Sequence, residues 1–297
     1  MQRLIIVIFC GLLWLTGNPA WAQNRGALFK AEQGGNVVWL FGTIHVGAPD
    51  FYPLEPRMMK ALDEASVLAL EVDPLGDQNQ LMLAIREHGM YQNGRGPALS
   101  DLPLPYQPRL ERQLQRFDIA RAAVMPMKPW MIASLLAVSE FAAQGYKPEL
   151  AVDAWLSREA RVRKVKVVEL ESAAGQMALF GRMPIADQLR FLQESIDAID
   201  NKEQADDARA IADAWRKADI AAFDAIALKT ETDQTFSGQF VKQVLLDGRN
   251  PALADGIAKL LAREKHSIAA IGVLHLVGTG SVPELLRKKG VAVERVY

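Results

Sequence analysis

The pattern G-x-x-H occurs twice in this chain, once near each end, and each copy follows a run that reads as a β-strand. The first is Gly42-Thr43-Ile44-His45, after Val37-Val38-Trp39-Leu40-Phe41. The second is Gly272-Val273-Leu274-His275, after Ile268-Ala269-Ala270-Ile271. A glycine follows each histidine closely, at Gly47 and Gly278. The chain holds 4 histidines, so half of them sit in matched settings. A strand ending in glycine lets another group approach its backbone, and the C-terminal edge of an open α/β sheet is where ligands bind. The repeat therefore asks for a fold that brings both ends of the sequence to one sheet edge.

The rest of the chain supplies such a sheet. Ala27 to Ala31 and Val37 to Phe41 flank Gly34-Gly35-Asn36, a β-hairpin signal. Val67 to Leu70 reads as a buried strand ending in Glu71, and Val165 to Val168 as one ending in Glu169-Leu170-Glu171. Ser267 to Ile271 is the last buried strand, and Val291 to Val293 closes the sheet at an edge. Between them the periodicity is helical: Leu54 to Ala65, Asp77 to Glu87, Arg109 to Phe117, Trp130 to Ala143 and Asp153 to Arg163. Further helices run from Ala173 to Gly248, with breaks near Gly181-Pro184, Asp200 and Asp219, and then over Ala252 to Arg263. Gly94 to Pro108 reads as a loop, and Ser281 with Glu284 as a capping box. Few apolar strands separated by helices predict an α/β chain, with α+β as the alternative. The expected architecture is a modest mixed sheet carrying both G-x-x-H strand ends, with a large helical insertion. No linker divides residues 23–297, which read as one domain.

Residues 1–22 stand apart. Met1-Gln2-Arg3 is a short positive region, Leu4 to Leu15 an apolar run, and Ala20-Trp21-Ala22 an A-x-A cleavage site. This predicts a secretory signal peptide cut after Ala22 and a secreted, periplasmic protein. The apolar run is short for a membrane span. Cys10, the single cysteine, lies inside it, and Phe9 stands where lipidation needs a small residue. The mature chain then has no disulfide and no thiol chemistry. A second apolar run, Ala122 to Ala143, is interrupted by Lys128, Glu140 and two prolines, so no membrane span is expected after cleavage. The net charge is −1 and no strongly basic stripe is visible, which argues against nucleic acid. Arg158 to Lys166 reads as the exposed end of a helix.

Imidazole serves as a metal ligand or as a general base near neutral pH, which makes His45 and His275 site candidates. Each taken singly also reads as an inert histidine at a strand end. Glu71 ends a buried strand, where a carboxylate is costly unless paired, coordinated or solvated. Glu169 and Glu171 lie two apart and share a face if their strand continues. Asp153 precedes a helix and reads as its cap. Arg249, at a helix junction with Asn250 and Pro251, suits a substrate carboxylate or a surface acid. His88 and His266 read as surface residues, and Met125 to Met131 as core or cleft wall. H-E-x-x-H, G-x-S-x-G and G-K-[ST] patterns are absent. Gly278-Thr279-Gly280-Ser281 is glycine-rich but lacks the lysine of a phosphate loop.

In order and spacing these residues resemble the TraB/GumN family, which is related to the Tiki proteases of animals. The resemblance runs from about Ala27 to Val296. It rests on Leu40 to Gly47, Leu70-Glu71-Val72-Asp73, Val152-Asp153, Leu170-Glu171 with Gln176, Arg249-Asn250, and Ile271 to Gly278. It implies that His45, Glu71 and His275 belong to a site, favours Glu171 over Glu169, and adds Asp153, Arg249 and Asn250. Ser172 stands where the family usually has threonine.

The Tiki relatives are metal-dependent peptidases that use the two G-x-x-H histidines. The resemblance thus implies a metal-dependent hydrolase acting on peptides. His45 and His275 would ligate a divalent ion, Mn, Co or Zn, with Glu71 or Glu171 completing the shell. The remaining glutamate would be the general base, and Arg249 would anchor a carboxylate or steady an oxyanion. Two other readings stay open: a non-catalytic binding protein for a peptide or glycan, and a metal-independent His/Glu hydrolase resembling the erythromycin esterases.

Overall fold

Gly34 and Gly35, with φ of 60° and 85°, form the two-residue turn of the N-terminal hairpin. Both positions need positive φ, the condition that makes glycine the turn residue here. The hairpin joins β1 (Leu28–Gln33) to β2 (Asn36–Thr43). The computed structural model describes residues 23–297; the signal-peptide reading and Cys10 lie outside the described residues.

Four more strands follow: β3 (Val67–Leu70), β4 (Lys166–Glu169), β5 (His266–Gly272) and β6 (Ala292–Arg295). They build one six-stranded mixed sheet in the order β4-β3-β5-β2-β1-β6. β4, β3, β5 and β2 run parallel, while β1 is antiparallel to both β2 and the edge strand β6. The central strands explain their own sequence. Leu68, Ala69, Leu70, Ile268, Ala269, Ala270 and Ile271 are all buried, because parallel strands covered on both faces read as continuous apolar runs rather than alternating ones.

The helices are α1 (Pro56–Glu64), α2 (Gln78–Ala84), α3 (Ala98–Asp101), α4 (Gln107–Arg116), α5 (Arg121–Val124), α6 (Pro129–Ala143) and α7 (Val152–Val162). They continue as α8 (Ala173–Gly181), α9 (Ile185–Asp200), α10 (Glu203–Lys217), α11 (Ile220–Thr232), α12 (Phe236–Phe240), α13 (Asn250–Arg263) and α14 (Val282–Lys288). The helical bulk thus enters as two long crossovers, α2–α7 between β3 and β4, and α8–α13 between β4 and β5. The main core lies along the sheet. A second apolar cluster, including Leu110, Leu136, Leu192 and Ile196, ties the two crossovers together through α4, α6 and α9.

Trp215 on α10 is fully buried, stacks on Phe51 at 4.7 Å between ring centres, and donates from Nε1 to Gly42 O at 2.7 Å. It props the first G-x-x-H from beneath. Several local expectations are corrected. Two π-helical segments, Ile85–Gly89 and Val241–Asp247, interrupt the 3.6-residue period. The stretch Gly94 to Pro108 carries α3 and the start of α4. The capping box is displaced by one residue: Glu284 accepts from the backbone N of Gly280 at 2.6 Å, and the Ser281 hydroxyl makes no capping bond. His88 and His266 are partly buried rather than surface residues. The basic stretch is, as expected, the exposed end of α7; within it Arg161 pairs with Asp73, and Arg163 with Asp63 and Glu159. Among the described residues, no helix is long and apolar enough to cross a membrane.

Candidate functional site

Four adjacent parallel strands each deliver one polar residue to the same edge. Leu70 is in register with both Glu169 and Ala270, and Thr43 with Gly272. The residues just beyond these strand ends therefore emerge side by side: Glu171 after β4, Glu71 after β3, His275 after β5 and His45 after β2. Gly42 is needed for this, because a Cβ there would lie 2.8 Å from Cγ2 of Val273. The absent side chain lets β5 turn sharply into the short 3-10 segment Val273–His275.

Each imidazole is held through Nδ1. His45 Nδ1 lies 2.9 Å from Oδ2 of Asp153, whose Oδ1 accepts from Ala154 N at 3.0 Å. His275 Nδ1 lies 2.6 Å from Oδ1 of Asn250, whose Nδ2 donates to Gly280 O at 2.9 Å. The Gly280 carbonyl fixes which way the Asn250 amide faces, so its oxygen must accept from His275. This assigns the proton of neutral His275 to Nδ1 and leaves a lone pair on Nε2; Asp153 does the same for neutral His45. Asp153 is thus not the expected helix cap. Ala151 occupies that position, and Asp153 is the second residue of α7, turned toward His45.

Arg249 precedes α13 and joins the two carboxylates. Its NH2 donates to Oε2 of Glu171 at 2.5 Å and also to Oε2 of Glu71, and its Nε lies 3.1 Å from Oε1 of Glu171. NH1 donates to Leu245 O at 3.3 Å. Gln176, on α8, donates from Nε2 to Glu71 at 3.1 Å and to Glu171 at 2.8 Å. Arg249 therefore clamps two internal acids, and pairs with neither a surface acid nor open solvent. Glu171 is the carboxylate that joins Arg249 and Gln176 beside Glu71. Glu169 ends β4 and braces the neighbouring loop, accepting from Asp73 N at 2.8 Å. Asp73 in turn accepts from Ser157 at 2.6 Å and pairs with Arg161, tying the loop after Glu71 to α7.

These contacts set the protonation states. Burial alone pushes the Glu71 carboxyl up, but the charges of His275, His45 and Arg249 and the Gly272 N–H at 2.5 Å outweigh it and hold the pKa at about 2. Burial pulls His275 down to about 4 despite Glu71 nearby. His275 is thus neutral at pH 7, and the cations that keep Glu71 ionised there are Arg249 and His45. His45 is different. Desolvation of the face turned toward the protein pulls it down, yet the hydrogen bond and charge of Asp153, with Glu71 behind, raise it to about 9. Its side chain is 65% exposed, so solvent screens part of this pull.

The side chains converge over one backbone atom. A Cβ on Gly272 would meet Oε1 of Glu71 at 3.2 Å, Cδ2 of His275 at 3.6 Å and Nε2 of His45 at 4.0 Å. Nε2 of His275 lies 3.8 Å from Oε1 of Glu71. Two imidazole nitrogens, that of His45 once deprotonated, and one carboxylate oxygen around a glycine floor are the donor types a divalent ion takes, and anchored Nδ1 atoms are how ligating histidines are oriented. Among the described residues, no three His, Cys, Asp or Glu side chains are grouped closely enough to hold a metal ion as they stand. Of the seven expected residues, Glu71, Glu171, Arg249, His275 and Asn250 are linked by hydrogen bonds and close ion contacts, and the His45–Asp153 pair borders the same Gly272 floor. Reading the sequence did not assign a role to Gln176 or Trp215. Gln176 was visible only as part of a motif, and Trp215 carries no local signal.

The fold and the site together define an α/β protein with a histidine–carboxylate cluster at the C-terminal edge of the parallel part of a mixed sheet. The model of the TraB/PrgY/gumN family matches residues 27–295, and the chain belongs to that family. It is similar to "Uncharacterized protein YbaP" of Escherichia coli (strain K12), 26% identical over 274 residues that cover 90% of this chain and 96% of the relative. The protein of the same description from Shigella flexneri matches to the same extent, 26% over 274 residues. No solved structure matches the chain.

Proposed function

We propose that this protein is an exported metal-dependent hydrolase acting on peptides, with its reaction centre over Gly272. The carrying observation is the orientation of the two imidazoles. Both are anchored through Nδ1, to Asp153 and Asn250, and both border the space beside Oε1 of Glu71. His45, His275 and Glu71 would hold the ion. When bound, a divalent Mn, Co or Zn ion would supply Lewis acidity, enough to lower the pKa of a water toward 7 and polarise a carbonyl.

The chain's own residues do the rest. Asp153 and Asn250 hold both Nε2 atoms toward the Gly272 floor. Glu171 is the second carboxylate and the proton acceptor for attacking water, and it returns that proton to the leaving amine. Arg249 bonds to both Glu71 and Glu171 and holds the two carboxylates at close quarters. This replaces the expectation that it anchors a substrate carboxylate, since its Nε and NH2 already face two acids and NH1 a carbonyl. The N-terminal pattern supports export, cleavage after Ala22 and a periplasmic location, which the N-terminal mass of the mature protein checks.

Digestion of a peptide library by the purified protein, with Mn²⁺, Co²⁺ or Zn²⁺ and then with chelator, tests the reading. Cleavage that chelator abolishes and metal restores supports it, provided His45→Ala is inactive. A second reading, hydrolysis without metal, rests on the His45–Asp153 pair, a proton donor at neutral pH; cleavage that survives chelation selects it. Ligand capture without any cleavage would make the protein a binding protein instead.

A further inference from the structure

The glycine that follows each G-x-x-H histidine has no role in the site as described so far. Its neighbours give it one. A Cβ on Gly47 would collide with the carbonyl of Leu150, on the segment that leads into α7 and Asp153. Gly47 also exchanges backbone hydrogen bonds with Lys147, at 2.9 and 2.7 Å. The first glycine thus lets the element bearing the partner of His45 close in.

The second works the same way. Gly278 has φ of +77°, and a Cβ there would lie 2.8 Å from Oε1 of Glu231 and 3.0 Å from Cβ of Ala227. Glu231 uses that space. Its Oε1 accepts from Thr279 N and from Thr279 Oγ1, both at 2.8 Å. Glu284 Oε2 accepts from the next backbone N–H, that of Gly280, at 2.6 Å. Two carboxylates therefore pin the turn whose Gly280 carbonyl orients Asn250, and Asn250 orients His275.

Nothing in α11 itself calls for an acid at Glu231. It is the penultimate residue of that helix, where a negative charge opposes the helix dipole. The contacts with Thr279 offset that cost. A small cavity of about 10 Å³, bordered by Glu231, Lys242, Asp247, Asn250 and Thr279, lies behind the turn, so truncating Glu231 enlarges a space that water can enter.

We infer that Glu231 is a positioning residue for His275, acting through Thr279, the Gly280 carbonyl and Asn250. Its bearing on catalysis rests on the proposed hydrolase reading; its effect on the imidazole does not.

The test uses the full mature protein with ¹⁵N-labelled histidine, metal-free, as wild type, Glu231→Ala, Glu231→Gln and Thr279→Ala. Ring nitrogen shifts report the tautomer, and solvent exchange of the Nδ1 proton reports how firmly it is held. Wild-type His275 is expected as the Nδ1–H form with a slowly exchanging proton. Glu231→Ala should speed that exchange at least tenfold, and Thr279→Ala by a smaller factor. Glu231→Gln, which keeps an acceptor oxygen, should stay within a few-fold of wild type. The His45 ring signals should not move in any of them. An unchanged His275 ring in folded Glu231→Ala and Thr279→Ala overturns the inference, as does an equal change at His45, which would mean general loosening. Zn²⁺ titration of the same samples separates the two claims. If no variant, nor wild type, binds Zn²⁺ while the His275 response is as expected, the metal reading fails and the positioning role stands.

Discussion

Asn250 and His275 are locked to one another: the amide oxygen lies 2.6 Å from Nδ1 of the imidazole, and the amide nitrogen donates to Gly280 O at 2.9 Å. Both side chains are almost wholly buried, at 2% and 3% exposure, so water cannot replace either bond. His45 and Asp153 repeat the relationship with a carboxylate at the cleft mouth. The inner imidazole is held neutral and the outer one is held charged in the metal-free protein, and the difference follows from amide against carboxylate and from burial.

Truncating Asn250 should therefore be costly. Asn250→Ala orphans the Gly280 carbonyl and the His275 N–H, and each buried unsatisfied group costs about 1–3 kcal/mol. Urea unfolding is expected to show a loss of at least about 2 kcal/mol, on the scale of that unsatisfied-group cost, with a secondary-structure spectrum like that of wild type.

Gly272→Ala separates site from scaffold. The added methyl would press on Glu71 Oε1 at 3.2 Å and sit near both imidazoles. Overpacking of this kind costs about 1–3 kcal/mol, and the upper part of that range is expected because the atom that must yield, Glu71 Oε1, is buried and bonded to Gly272 N. On the proposed hydrolase reading, hydrolysis and Zn²⁺ affinity should each fall at least tenfold while the protein stays folded.

Trp215→Phe should destabilise the chain by about 1–3 kcal/mol, the cost of leaving the buried Gly42 carbonyl without its donor. Because that carbonyl belongs to the first G-x-x-H, thermal melting and His45 ring shifts should change together.

Glu71 predicts the acid limb of stability. Its folded pKa of about 2 lies below the ordinary 4.5, so the unfolded chain takes up the proton first. The stabilisation is fully present above about 4.5 and is lost as pH falls toward 2. Glu71→Gln should flatten this part of the stability-against-pH curve, measured by denaturant unfolding at each pH. His45 gives the opposite sign: its imidazole should titrate near 9 in the metal-free protein, and Asp153→Asn should return it toward 6.5, followed by NMR.

Much of this arrangement was legible in the sequence, for identifiable reasons. The strands were readable because parallel, doubly covered strands are unbroken apolar runs, and the two G-x-x-H copies marked where two of them end. The hairpin was readable because Gly34-Gly35 is the turn its geometry demands. Asp153 was misread as a helix cap because its partner, His45, is 108 residues away. Arg249 was read toward substrate for the same reason: Glu71 is 178 residues distant. The π-helical segments Ile85–Gly89 and Val241–Asp247 escaped notice since they break the period by which helices are read. The choice of Glu171 over Glu169 needed the family pattern. Residue spacing put both on one face, whereas β4 ends at Glu169 and the chain turns before Glu171.

The measurement that tests the central claim most directly is the metal content of the purified mature protein beside a His45→Ala/His275→Ala double variant. Both would be reloaded with Mn²⁺, Co²⁺ or Zn²⁺, desalted and read by mass spectrometry. The account predicts near-stoichiometric metal in the wild type and its loss in a variant that remains folded. Equal, negligible metal in both proteins would contradict it.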